Sequence, residues 1–230
     1  MTTAGPHDDN AMDEPKLELG TRSYQDRLRD AGVPAAISFD GLPLLAWDAR
    51  SNAWTARDVL PSWGAFQSRG GAYGARDGRE GVGTVRVSID CDEYAPPHDS
   101  QIAAFRWLKA HEEKVAAVLL ATALRAYPDN RAAWLEHYPD DASELPNIAS
   151  PRELAAVMGL HDVHILASAR DGFAYVGYEF GCNWDDEDGF GVLSHLDRVI
   201  EHGPARVAFR TSVAIASDGG VEIGAMTAVP

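Results

Sequence analysis

FAYVGYEFGCNWDDEDGFGVLSHLDRVIEHG, at residues 173–203, decides the fold, because two apolar alternating runs flank a knot of acidic residues closed by glycine. From Phe173 to Cys182 every second side chain would face one side, as a half-buried strand requires. That inward face holds Ala174, Val176, Tyr178, Phe180 and Cys182. The other face carries Phe173, Tyr175 and Glu179. The run therefore predicts a strand with its apolar face against the core.

An acidic bend follows this strand. Four successive carboxylates at 185–188 are closed by the glycines of Gly189-Phe190-Gly191. Glycine permits a positive φ or a close backbone approach, which favours a hairpin bend. Val192-Leu193 and Val199-Ile200 would supply the returning strands, with a second turn at residues 196–198. Residues 173–203 therefore predict a β-meander.

Upstream segments add further strands and two helices. Residues 35–39 and 42–47 flank Asp40-Gly41, which is typical of a hairpin. Residues 84–89 alternate as an amphipathic strand. From Asp99 the apolar residues recur at helical spacing, which predicts two helices or one helix kinked near His111.

Proline and capping signals divide the region between these helices and the meander. Pro128, Pro139 and Pro146 bracket a short segment around residues 131–138, which is expected to form a helical connector. Ser150-Pro151-Arg152-Glu153 has the pattern of a capped helix start, with Gly159 as its stop. A strand at 163–167 then turns at Asp171-Gly172 into the meander.

These elements predict an α+β fold: a mostly antiparallel sheet with a C-terminal β-meander, packed against two or three central helices. Residues 1–20 have the composition of a disordered acidic tail. Residues 21–230 are long enough and apolar enough for a single domain.

Charge and cysteine content limit the classes of function. The formal net charge of −15 repels phosphate backbones and anionic lipid and attracts basic partners, so neither nucleic acid nor membrane is expected as a partner. Cys91 and Cys182 form no C-x-x-C pair, which favours a reduced, cytoplasmic setting. The N-terminal residues lack the pattern of a secretory signal, and no apolar run is long enough to span a membrane.

Catalytic and metal motifs are incomplete in this sequence. HEEKV at His111 begins like a zinc-protease motif but has Val115 where the second histidine belongs. His161 and His164 could bind a metal jointly only with help from distant ligands. There is no G-x-S-x-G, S-x-x-K or P-loop, so no catalytic residue, metal ligand or cofactor is assigned, and binding is the favoured function.

Three segments resemble a bacterial domain family of unknown function marked by W-D-x-E-H-G-x-G near its C-terminal end. They are DSQIAAFRWLKAHEEKVAAVLLATALRAY (99–127), SPRELAAVMGLHDVHIL (150–166) and DGFAYVGYEFGCNWDDEDGFGVLSHLDRVIEHG (171–203). The resemblance covers about residues 82–209. It implies an immunity-type protein that masks a toxin, since similar proteins often lie in polymorphic-toxin neighbourhoods. This chain has Asp188 where the pattern has histidine, which weakens a catalytic or metal role there.

The acidic bend can be interpreted in three ways: a solvated turn, a surface for a basic protein partner, or a metal or catalytic site. The solvated, hydrogen-bonded turn ranks first among these interpretations, and the partner surface is the favoured functional one. Its residues are Trp184, Asp185, Asp186, Glu187 and Asp188. Trp184 is expected to lie beneath the bend as an apolar staple. The alternatives are a metal-dependent hydrolase that combines these carboxylates with His195 or His202, and a structural accessory domain.

Overall fold

The computed structural model describes residues 30, 32–66, 81–92 and 95–223, and the predicted tail at 1–20 lies outside them. Within these ranges, nine strands form one sheet. They are β1 Ala36–Ile37, β2 Leu45–Asp48, β3 Ala53–Val59, β4 Thr84–Asp90, β5 Met158–Arg170, β6 Phe173–Cys182, β7 Asp185–His195, β8 Arg198–Gly203 and β9 Val221–Glu222. The described α-helices are α1 Asp99–Ala110, α2 Glu112–His137 and α3 Thr211–Asp218. Short 3-10 helices occur at Pro61–Phe66, Pro139–Ser143, Glu153–Ala156 and Ala205–Phe209.

The sheet follows the chain order from β1 to β8. Each neighbouring pair is antiparallel except β4 and β5, which are parallel and are separated in sequence by α1 and α2. Strand β9 pairs with the end of β5 beyond its contact with β4. The mostly antiparallel α+β fold and the meander of β6, β7 and β8 are therefore confirmed.

Strand β6 is buried from Ala174 to Cys182. Its predicted inward side chains all belong to one apolar cluster, together with Phe105 of α1 and Leu119 of α2. Tyr175 on its other face belongs to a second cluster, which Val207 and Val213 help to form on the opposite side of the sheet. The alternation predicted for β6 is confirmed, and the strand has apolar neighbours on both faces.

Several local predictions are also confirmed. Gly41 lies at φ 75° between β1 and β2, and Asp171 and Gly172 have φ of 51° and 82° between β5 and β6. Strand β4 buries alternate apolar side chains on one face, as expected. The helical region begins at Asp99 and is interrupted at His111, where α1 ends and α2 follows.

Two predictions of helix boundaries are wrong. Glu153 does accept hydrogen bonds from the Ala149 N–H (2.9 Å) and the Ser150 hydroxyl (2.7 Å), but only a 3-10 turn follows, and β5 already begins at Met158. Met158 is paired with β6 and buried, so the sheet outcompetes the helix. The segment expected as a separate connector is helical, but it is continuous with α2, which runs through Pro128 to His137. Proline has no backbone N–H, so the helix loses one hydrogen bond at this exposed position. Packing of the rest of the helix offsets that loss.

The Ala205–Phe209 3-10 helix approaches β6 very closely at Gly177. A Cβ atom at this position would overlap the carbonyl oxygen of Ala208, whereas one at Gly203 would lie 3.3 Å from the Val207 Cγ2. Only glycine therefore lets this segment sit on the backbone of β6.

We expect Gly177→Ala to destabilise the protein by roughly 1–3 kcal/mol or more, because the added methyl group must displace backbone atoms. Gly203→Ala is the control, since its methyl group meets a side chain that can move. Urea unfolding of both variants checks this. An equal loss of stability in the two would contradict the assigned contact.

Asp218 fixes the end of α3 to the sheet. Arg198 donates to both carboxylate oxygens (2.7 and 2.6 Å), and the Tyr175 hydroxyl donates to one of them (2.9 Å). The Arg198 hydrogen bonds, and the Tyr175 hydrogen bond after them, hold the pKa of Asp218 at about 2. The ionised carboxylate is therefore part of the folded structure.

A depressed carboxyl pKa stabilises the fold above the ordinary value of 3.8, and this contribution disappears as the pH falls through about 2. We expect Asp218→Asn to be less stable than the wild type at pH 7, with the difference shrinking toward pH 2. Asp171→Asn is the control, because its side chain is 80% exposed. Unfolding midpoints between pH 2 and 7 test this, and a constant difference would exclude the linkage.

Candidate partner-binding site at the acidic bulge

The acidic residues lie in the first part of β7 rather than in the turn before it. Cys182 pairs with Asp185 across a two-residue connection, and the next regular pair is Phe180 with Phe190. Residues 186–189 therefore stand opposite Gly181 alone, which makes a large β-bulge. We call residues 185–189 the acidic bulge. The predicted hairpin is present, and its carboxylates are displaced from its tip into the strand.

A hydrogen bond from the backbone of Asp188 to the side chain of Asp185 fixes the conformation of the acidic bulge. The Asp185 carboxylate accepts a hydrogen bond from the Asp188 N–H (2.8 Å), and Gly189 adopts a φ of 61°. Burial raises the pKa of Asp185 in spite of this hydrogen bond. The next three carboxylates, at 186–188, are exposed, and Asp188 lies 3.8 Å from an Arg206 guanidinium nitrogen. Solvent therefore screens most of the charge, and three carboxylates face outward.

Trp184 lies beneath the acidic bulge and is only 4% exposed. Its ring makes edge contacts with Tyr127 of α2 (5.4 Å between centroids) and with Phe190 of β7 (5.9 Å). The staple expected from the sequence is therefore present. Of the five residues assigned to the partner surface, Trp184 supports the surface from below and the exposed carboxylates form its outside.

A cleft of about 330 Å³ separates the acidic bulge from the end of α2. Its lining consists of Asn130, Ala133, Trp134, His137, Tyr138, Trp184, Asp185, Gly189, Phe190, Gly203 and Pro204. Trp134 and Tyr138 lie one turn apart with their rings 4.4 Å from each other, and Tyr138 is 52% exposed. The Trp134 indole N–H donates to Asp141 (2.9 Å), which fixes the ring. The cleft thus combines aromatic faces with a carboxylate edge.

Sequence reasoning misses the α2 side of this cleft. It predicts only a helical connector around residues 131–138 and gives Trp134 and Tyr138 no place in a site. The signal that could have found them is an aromatic pair at i and i+4 near a helix end, which places both rings on one face. The sequence does not show that this face lies beside residues about fifty positions later.

Of the two histidines of the hydrolase hypothesis, His195 lies far from the acidic bulge, whereas His202 lies near Phe190, the residue that follows the bulge. His195 is buried at the far end of β7, with its Nε2 2.9 Å from the Arg170 carbonyl oxygen. His202 lies in β8 with its ring 6.0 Å from that of Phe190. Across the described ranges, the group of His, Cys, Asp and Glu side chains close enough to share a metal ion is His161, Asp162 and Glu179, and it does not include the bulge.

His161 and His164 lie on β5 near carboxylates that sequence spacing does not indicate. The His164 Nε2 is 2.7 Å from Glu179 of β6, and its Nδ1 is 2.9 Å from the Ser88 hydroxyl of β4. The His161 Nδ1 is 3.4 Å from the Asp162 carboxylate, which raises the pKa of His161. Within the described residues, His161 is grouped with Asp162 and Glu179, and His164 is not part of that group.

We expect Trp184→Ala to destabilise the protein by roughly 3–5 kcal/mol, because it leaves a large cavity against Tyr127 and Phe190. Asp186→Asn, on the exposed outside of the same bulge, should change stability by less than about 0.5 kcal/mol. Denaturant unfolding of both variants provides the measurement. A large effect of Asp186→Asn would show that its carboxylate is bonded into the fold.

Comparison with known proteins identifies the family. No helix among the residues described here is long and apolar enough to cross a membrane. No curated protein matches the chain, and no solved structure matches it. Residues 79–209, more than half of the chain, match the family described as a domain of unknown function, DUF6985. The match includes β4 to β8, both long helices and the acidic bulge. The chain therefore belongs to the DUF6985 family.

Proposed function

We propose that this protein is a non-enzymatic binding protein that captures a basic protein partner at the acidic bulge. The observation that carries the proposal is the cleft between α2 and the bulge, in which Trp134 and Tyr138 lie across from Asp185. A lysine or arginine side chain in this cleft would meet aromatic faces and the Asp185 carboxylate together. Both contacts favour a cation.

Charge supports the same class of partner. The chain has a formal net charge of −15, and Asp186, Glu187 and Asp188 are exposed next to the cleft. A field of this sign accelerates the approach of a basic protein and makes the association sensitive to salt. The cleft would then supply the shape specificity that a charged surface alone lacks.

The partner class that the sequence resemblance implies is a toxin. In this proposal the protein is a bacterial immunity-type protein that covers basic residues a toxin needs for its action. The proposal places it in the cytoplasm, where Cys91 and Cys182 would stay reduced, and both are free thiols in the described structure. Toxicity of a neighbouring gene's product, and rescue by this chain, would establish this biological role.

The binding site is tested with fluorescently labelled oligoarginine and oligolysine peptides as probes and, in parallel, with the products of neighbouring genes in a pull-down. We expect the triple variant D186N/E187Q/D188N and the single variant Tyr138→Ala each to weaken binding by about tenfold or more, which corresponds to about 1.4 kcal/mol. Binding by the wild type should weaken as salt increases.

The matched control is D171N/E113Q/E222Q, which removes the same number of charges from exposed positions outside the cleft. An equal loss in both triple variants would show that only net charge matters and would refute the site. Failure of the wild type to bind either the peptides or any neighbouring product would refute the function.

A further inference from the structure

A second group of ionisable side chains lies in the middle of the sheet, where β4, β5 and β6 meet. Asp162 of β5 stands directly opposite Glu179 of β6, and both residues are buried, at 7% and 8% exposure. Like charges at opposed positions destabilise a sheet unless another group offsets them. The identity of the offsetting groups therefore decides what this cluster can do.

A β-bulge at His161 assembles the cluster. Leu160 pairs with Phe180 and Asp162 pairs with Glu179, so His161 is an extra residue on β5. In a regular strand His161 and Asp162 would point to opposite faces, and the bulge removes that alternation. One ligand atom from each of His161, Asp162 and Glu179 lies within 4.8 Å of the other two.

Neighbouring side chains position the two carboxylates. His164 lies between the Ser88 hydroxyl and Glu179, with contacts of 2.9 and 2.7 Å. Arg86 donates to Asp162 (3.2 Å) and also to Asp48 (2.9 Å). Its single positive charge is thus shared by two carboxylates, and Glu179 adds a third negative charge nearby. Such outer partners orient metal ligands in proteins.

We infer that His161, Asp162 and Glu179 bind a divalent transition-metal ion of the zinc type. One imidazole nitrogen and two carboxylate oxygens suit such an ion better than calcium or magnesium, which prefer oxygen ligands alone. Metal–ligand distances of about 2.1 Å place tetrahedral ligands roughly 3.4 Å apart, so the three side chains need only a modest inward shift. Three protein ligands leave one position for water or for a fourth donor.

The cluster is open enough for an ion to enter. The His161 side chain is 33% exposed, whereas the side chains of Asp162 and Glu179, taken without their backbone atoms, are each 10% exposed. The exposed Phe209 ring lies 5.6 Å from that of His164 at the edge of the group. The ion would therefore reach the carboxylates past a half-buried histidine, without opening of the sheet.

The test is calorimetric titration of the untagged full chain with zinc chloride after removal of bound metal by a chelator. We expect one Zn²⁺ per chain and a higher melting temperature in its presence, because an ion that binds only the folded state stabilises it. His161→Ala should weaken binding by at least about 100-fold, more than the roughly 10–100-fold expected from loss of an outer partner. Glu179→Gln should have a similar effect.

Controls separate this site from the acidic bulge. D186N/E187Q/D188N should bind zinc like the wild type, and so should His137→Ala, which removes an exposed histidine of α2. If Glu179→Gln fails to fold, His161→Ala still decides, because its side chain is partly exposed. Absence of binding heat in the folded wild type would overturn the inference. Undiminished binding by His161→Ala, or loss of binding in the bulge variant, would overturn it as well.

Discussion

Burial of β6 on both faces is the constraint on which the rest of the structure depends. Its inward side chains pack against α1 and α2, and its other face receives Tyr175's cluster and the Ala205–Phe209 3-10 helix. A strand buried on both sides cannot tolerate a slip of register, because a shift by one residue exchanges every side chain between the two faces. Gly177 strengthens this restriction, because the backbone of the Ala205–Phe209 3-10 helix touches β6 at this residue.

A feature of the fold could be predicted from the sequence where interactions between residues close in the chain determine it. The alternation of β6 and the Asp171-Gly172 turn are local, and both are found as expected. Glu153 forms the capping bonds that its sequence predicts, yet the chain enters the sheet at Met158 because pairing with β6 is worth more than helix propensity. Pro128 inside α2 shows the same tertiary override.

The site residues were predictable only in part for the same reason. The four carboxylates are contiguous, so the sequence alone is enough to recognise an acidic segment at this place in the chain. Its cleft could not be predicted, because Trp134 lies on α2 and Trp184 precedes β7, and the two line one cleft only in the folded structure, where Trp184 packs against Tyr127 of α2. The group formed by His161, Asp162 and Glu179 was even harder to predict from the sequence. A bulge breaks the alternation on which strand prediction relies, and that alternation places Glu179 merely on an outward face.

The His161 bulge and the acidic bulge lie on either side of the same short piece of β6. On one edge, the His161 bulge falls between the pairs made by Phe180 and Glu179, and on the other, the acidic bulge falls between the pairs made by Phe180 and Cys182. Each bulge gives up regular ladder hydrogen bonds and redirects side chains. Phe180 stays 1% exposed between them, packed 5.6 Å from Trp63 and 6.1 Å from Phe190. Phe180 is thus a buried apolar anchor between two departures from regular pairing, and each departure brings acidic side chains together.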